Sequence, residues 1–160
     1  MQDYDIQMMR MALEQAEIAA QEGEVPVGAI LTLENKVIGI GRNQNILLND
    51  PSAHAEMMAI REGAQALSNY RLPETTLYVT LEPCSMCAGL MVHSRIHRLV
   101  FGAADPKTGA CGSISNIVSD KRLNHNIEVT KGVLQDECSQ MLSEFFKIRR
   151  AQKKAVKKGV

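Results

Sequence analysis

The chain has 160 residues, of which 45% are hydrophobic and 22% charged, a balance that excludes wholesale disorder and fits a single domain. A chain of this length buries roughly 70% of its unfolded surface and folds without staples. The formal charge sums to zero, no apolar run approaches the ~20 residues of a membrane span, and the opening Met1-Gln2-Asp3-Tyr4-Asp5 carries no leader pattern, so the expected compartment is the cytoplasm.

In chain order, residues 3–22 are predicted as an amphipathic helix, with Ile6, Met9, Leu13, Ala16 and Ala20 on one face and Gly23 as its stop. Residues 27–33 and 37–41 read as a hairpin turning at Glu34-Asn35-Lys36. Residues 45–52 are expected as loop, 53–67 as helix, 75–81 as a strand, 84–93 as a short helix and 98–103 as another strand. Residues 105–113 read as a Gly-containing loop, 114–123 as a weak helix, 127–133 as a strand, and 134–154 as a long helix. With aromatics at 4% and no Trp, the core is expected to be aliphatic, with some of the nine Met. No repeat or linker interrupts the chain, so residues 1–150 read as one domain and 151–160 as a basic tail. Helices interleaved with strands imply an α/β fold, a three-layer α/β/α sandwich around a central mixed sheet. The opening hairpin supplies an antiparallel pair, and the later strand-helix-strand units favour parallel neighbours.

The zero net charge hides an asymmetry. All 18 acidic residues precede Lys147, whereas Lys147, Arg149, Arg150, Lys153, Lys154, Lys157 and Lys158 follow without an acid among them. Such a tail is suited to holding a polyanion, or is only a solvated helix end.

Two short segments can carry chemistry. One is His54-Ala55-Glu56, at a helix start; the other is Pro83-Cys84-Ser85-Met86-Cys87, directly after a strand. Thiols three residues apart at a helix opening share one face, and the helix N-terminus favours their thiolate form. His54, Cys84 and Cys87 together suit zinc, and three ligands rather than four leave a position for water. Zinc lowers the pKa of such a water from 15.7 toward about 7. Glu56, two residues from His54, is placed to face the metal without ligating it and to carry the proton. The set suits attack on an amidine-like carbon that expels ammonia. Taken singly, each part is weak: Cys-x-x-Cys also serves redox pairs and structural zinc, and a lone His or Glu at a helix start is commonplace. Together they match the known His-x-Glu…Pro-Cys-x-x-Cys pattern of zinc nucleobase deaminases, including the tRNA enzymes. Cys138 reads as a small buried hydrophobe. Cys111 is a conceivable fourth ligand but is expected not to be one.

On these residues the chain resembles the cytidine deaminase-like superfamily and, within it, the bacterial tRNA-specific adenosine deaminase family. The resemblance is carried by Glu24-Val25-Pro26-Val27-Gly28-Ala29, Asp50-Pro51-Ser52-Ala53-His54-Ala55-Glu56, and Tyr70-Arg71-Leu72. It continues through Leu77-Tyr78-Val79-Thr80-Leu81-Glu82-Pro83-Cys84-Ser85-Met86-Cys87-Ala88-Gly89, His93-Ser94-Arg95-Ile96, Val100-Phe101-Gly102-Ala103, Asp105-Pro106-Lys107-Thr108-Gly109 and Glu144-Phe145-Phe146. It implies hydrolysis of the wobble adenosine of a tRNA anticodon loop to inosine, with one zinc per subunit on His54, Cys84 and Cys87 and Glu56 as proton shuttle. Residues 1–150 would then be a zinc-dependent deaminase domain. The resemblance also implies a homodimer and places Asn43 at the target base. The loop with Asp105 and Lys107, and the last helix with Phe145, Phe146, Arg149 and Arg150, would touch the anticodon stem-loop. No membrane partner is implied.

Three other readings remain open at this level. A deaminase of a free base or nucleoside would share the zinc site but have no use for the tail. A non-catalytic, zinc-stabilised RNA-binding module would not depend on Glu56. A Cys-x-x-Cys oxidoreductase would hold no metal and would form a reversible Cys84–Cys87 disulfide.

Overall fold

The computed structural model describes residues 2–159. Five strands form one mixed sheet: β1 (Gly28–Leu33), β2 (Lys36–Arg42), β3 (Thr76–Leu81), β4 (Arg98–Ala103) and β5 (Glu128–Lys131), in the order β2-β1-β3-β4-β5. β1 is antiparallel to both β2 and β3, while β3, β4 and β5 run parallel. Side chains alternate across the sheet, as the period of two requires. Ala29, Leu31, Leu77, Val79, Leu99 and Phe101 enter one core, packed by α3 (Ala55–Leu67) and α4 (Ser85–His93). Ile30, Tyr78 and Val100 enter a second core under α1 (Gln2–Gln21) and α5 (Gln135–Lys157). The three-layer α/β/α sandwich is therefore the observed fold.

The hairpin turns on two residues, because Glu34 (φ 51) and Asn35 (φ 62) both take the left-handed region and Lys36 already pairs with Leu33. That is the turn whose twist matches the flanking strands. α1 is rotated from its expected face: Met8, Met9, Ala12, Leu13, Ala16 and Ala19 are buried, whereas Ile6 is exposed. Gly28 explains the rotation. A Cβ there would overlap the Ala12 carbonyl, so the helix sits on β1 through its small residues. Asp5 also turns inward. The Arg98 guanidinium donates to both its oxygens (2.9 and 2.7 Å), and the Tyr78 hydroxyl donates to it at 3.0 Å.

Two further expectations fail, each through a tertiary contact. Residues 45–52 are not all loop, since Asn45–Leu48 forms a one-turn helix, α2. The Glu24 carboxylate accepts from the Ile46 and Leu47 N–H groups (3.1 and 2.8 Å), supplying from afar the cap that the local sequence lacks. Residues 114–123 form only a 3₁₀ turn at Ile117–Ser119, because the Ile114 and Ile117 N–H groups bond back to the Gly109 and Ala110 carbonyls. The last strand shortens to Glu128–Lys131, and α5 extends to Lys157.

Candidate metal centre and cleft

α3 is pressed against β2, since a Cβ at Gly41 would overlap the Ala55 carbonyl. The Ala55 N–H donates to Asn43 Oδ1 at 2.8 Å, which fixes the helix start. His54 thus occupies the N-cap position and Glu56 the first turn. Across the cleft, Cys84 is the N-cap of α4 and Cys87 lies in its first turn. Cys84 also pairs with Gly109 in an isolated antiparallel bridge, which brings the 105–113 loop onto the ligand segment.

His54 Nδ1 lies 3.6 Å from Cys84 Sγ and 3.5 Å from Cys87 Sγ. A tetrahedral centre with bonds of about 2.0–2.1 Å to nitrogen and 2.3 Å to sulfur sets those atoms about 3.6 Å apart. The three donors therefore fit a metal ion as they stand. They are also the one such group of His, Cys, Asp or Glu among the described residues. Cys111 does not join them; its sulfur sits against the Pro83 carbonyl, and burial pushes its thiol well above the ordinary range. Of the paired thiols, Cys84 is held as the thiolate, down at about 3, by a hydrogen bond from Cys87 that outweighs burial, with His54 adding to it. Cys87 is pushed up by donating to Cys84 and by burial. The hydrogen bond to Cys84 raises the His54 imidazole against the effect of burial. Glu56 is 4% exposed, and burial lifts its carboxyl to about 7. A carboxyl near neutrality can both take and return a proton.

His54, Glu56 and Cys84 form the floor of a cleft of about 210 Å³, with Cys87 fully buried behind them. One wall carries Val25, Val27, Asn43 and Asn45, and the other Leu81, Glu82, Asp105 and Thr108. Of the residues expected to meet substrate, Asn43 and Asp105 line the cleft. The Asp105 carboxylate accepts from Lys107 N–H, Thr108 N–H and the Thr108 hydroxyl, so it fixes its own turn. Lys107 is exposed on that loop. Phe145, Phe146, Arg149 and Arg150 lie on α5 and do not line the cleft. Phe145 is half-buried and meets Phe146 edge-on, with ring centres 5.6 Å apart. Arg149 sits 4.8 Å above the Phe145 ring and donates to the Gly23 carbonyl at 2.8 Å. Met91 is core, whereas Met86 stands on the outer side of α4. Sequence reasoning gave Glu24 and Glu82 no role. The only signal was a carboxylate placed next to an apolar strand or helix end.

A model of the MafB19-like deaminase family matches residues 3–150. A tRNA-specific adenosine deaminase of Haemophilus influenzae is 56% identical over 97% of this chain and 90% of its own length. One from Bacillus subtilis is 46% identical over 95% of this chain and 94% of its own. Among solved structures, one from studies of tRNA deaminases that edit adenosine to inosine at the wobble position superposes with a TM-score of 0.82. It is 43% identical and covers 85% of this chain and 99% of its own. A guanine deaminase from Nitrosomonas europaea, 24% identical with a TM-score of 0.75, covers 86% of this chain and 82% of its own and shares the fold.

Proposed function

The chain belongs to the MafB19-like deaminases and, among them, to the tRNA-specific adenosine deaminases, and from this membership and its cleft we propose how it converts the wobble adenosine of a tRNA anticodon loop to inosine. The observation that carries the reading is the three-donor group with a buried carboxyl beside it in an open cleft. Two thiolates and an imidazole suit zinc, one ion per chain on His54, Cys84 and Cys87. Zinc, when bound, supplies Lewis acidity that lowers the pKa of water toward about 7.

The chain's own residues do the rest. Glu56 takes a proton from the attacking water and returns it to the departing amino nitrogen, so adenosine and water give inosine and ammonia. Asn43 spends its carbonyl oxygen on Ala55 and keeps its amide N–H groups for the base. Val25, Val27 and Leu81 offer apolar surface to the ring. The target base leaves an already single-stranded loop, which keeps the unstacking cost to a few kcal/mol. The α5 cations of residues 147–158 hold phosphates outside the cleft, with 151–160 as a basic extension of the 1–150 domain. The protein works as a homodimer in the cytoplasm; no helix of the described residues is long and apolar enough to cross a membrane.

The test is a product assay with zinc-loaded protein on an anticodon stem-loop bearing wobble adenosine, beside a panel of free bases and nucleosides. Inosine in the stem-loop alone supports the proposal. Turnover of a free base with an untouched stem-loop would keep the zinc chemistry and overturn the substrate.

A further inference from the structure

We infer that Glu24 and Glu82 are a pair of positioning residues, each a buried carboxylate that holds one wall of the cleft by its backbone N–H groups. Glu24 is 2% exposed and Glu82 3%. Glu24 Oε1 and Oε2 accept from Ile46 and Leu47, the first turn of α2, whose Asn45 lines the cleft. Glu82 Oε1 accepts from the Asp105 N–H (3.0 Å) and the Ser113 hydroxyl (2.5 Å). Its Oε2 accepts from the Cys111 and Ser113 N–H groups (2.9 and 3.1 Å). A carboxylate has about four lone-pair sites, so Glu82 is fully subscribed and has no capacity left to act on substrate. Its position on the cleft is therefore that of a clamp. The 105–113 loop passes so closely that a Cβ at Gly109 would overlap the Glu82 carboxyl. The same loop pairs Gly109 with Cys84, so the clamp joins the metal segment to the wall carrying Asp105 and Thr108. Hydrogen bonds to a charged acceptor are the stronger kind, and they fix a loop that has no regular structure of its own.

The inference rests on the deaminase reading for what the walls are for, but not for whether they are clamped. The experiment therefore has two arms on full-length, zinc-loaded protein. In the first, amide hydrogen exchange is followed in Glu82→Gln and Glu24→Gln. An amide puts an N–H₂ where a carboxylate oxygen accepted, so Glu82→Gln should speed exchange at Asp105, Cys111 and Ser113 by at least about 10-fold, leaving Ile46 and Leu47 unchanged. Glu24→Gln should do the reverse. In the second arm, each variant should raise KM for the stem-loop about 10-fold while kcat stays within about 3-fold. Gly109→Ala, which crowds the clamp while keeping its charge, should reproduce the Glu82→Gln pattern. Ser113→Ala removes one bond of the four and gives a smaller effect of the same kind, should Glu82→Gln fail to fold. Exchange that rises evenly across both walls and the sheet would overturn the inference, as would local opening with KM unchanged. A wild-type protein inert on the stem-loop would instead sink the deaminase reading and leave the exchange arm to decide the clamps.

Discussion

The floor of the cleft draws its reactive side chains from two helix N-termini, and each set comes as a short run of chain, His54-Ala55-Glu56 and Cys84-Ser85-Met86-Cys87. The walls are assembled differently. Each includes a segment of little regular structure, the 45–48 turn or the 105–113 loop, held by a carboxylate that lies 22 or more residues away in sequence. The difference teaches where precision comes from. Donor atoms on rigid helix ends hold metal geometry through local periodicity, whereas a loop must be told its shape by groups that reach it only in the folded chain.

The comparison breaks most sharply at the floor. Cys87→Ala and His54→Ala should lose the metal and all measurable turnover, with metal content by elemental analysis and inosine formation as the readouts. A variant that kept a full complement of zinc would refute the ligand assignment. Glu56→Ala should keep its zinc and lose about 10²–10⁴-fold in kcat. Metal loss in that variant would make Glu56 a ligand rather than a proton carrier.

Stability of the frame comes next. Asp5 ties α1 to β3 and β4 through Tyr78 and Arg98. Asp5→Ala leaves the Arg98 charge in a largely buried place without its partner, and should cost about 3 kcal/mol by denaturant unfolding. Burial alone would raise the Asp5 carboxyl, but the Arg98 and Tyr78 hydrogen bonds hold it below its usual value. Its contribution is therefore present above the unfolded pKa of about 3.9 and is lost as pH falls through the lower folded value. The wild-type unfolding midpoint should fall steeply below about pH 4, and that of Asp5→Asn should be flatter there. Identical acid limbs would remove Asp5 from the account.

The smallest effect is expected farthest from the floor. Deleting residues 151–160 removes Lys153, Lys154, Lys157 and Lys158 and leaves Arg149 on Gly23. The dependence of log KM on log salt should become shallower by up to about 0.7 for each phosphate that the tail no longer neutralises, with kcat unchanged. An unaltered salt slope would make the tail a solvated helix end.

The α/β/α class, the hairpin, the parallel strand-helix-strand units and the two halves of the donor group, His54 with Glu56 and Cys84 with Cys87, were legible in the chain, because each is assembled from short runs whose own spacing is local, whereas the meeting of His54 with Cys84, 30 residues on, is completed by the fold. Periodicity of two or 3.6 and the reach of adjacent side chains are local physics, and local physics survives in a string of letters. The true buried face of α1, the helical turn at 45–48, the dissolved helix at 114–123 and both wall clamps were not legible. They turn on Gly28 meeting Ala12, Glu24 meeting Leu47, and Glu82 meeting Ser113, pairs that the sequence separates and only the packed sheet brings together. A buried carboxylate must find its donors wherever the fold supplies them, since leaving it unpaired costs more than any local preference can offset.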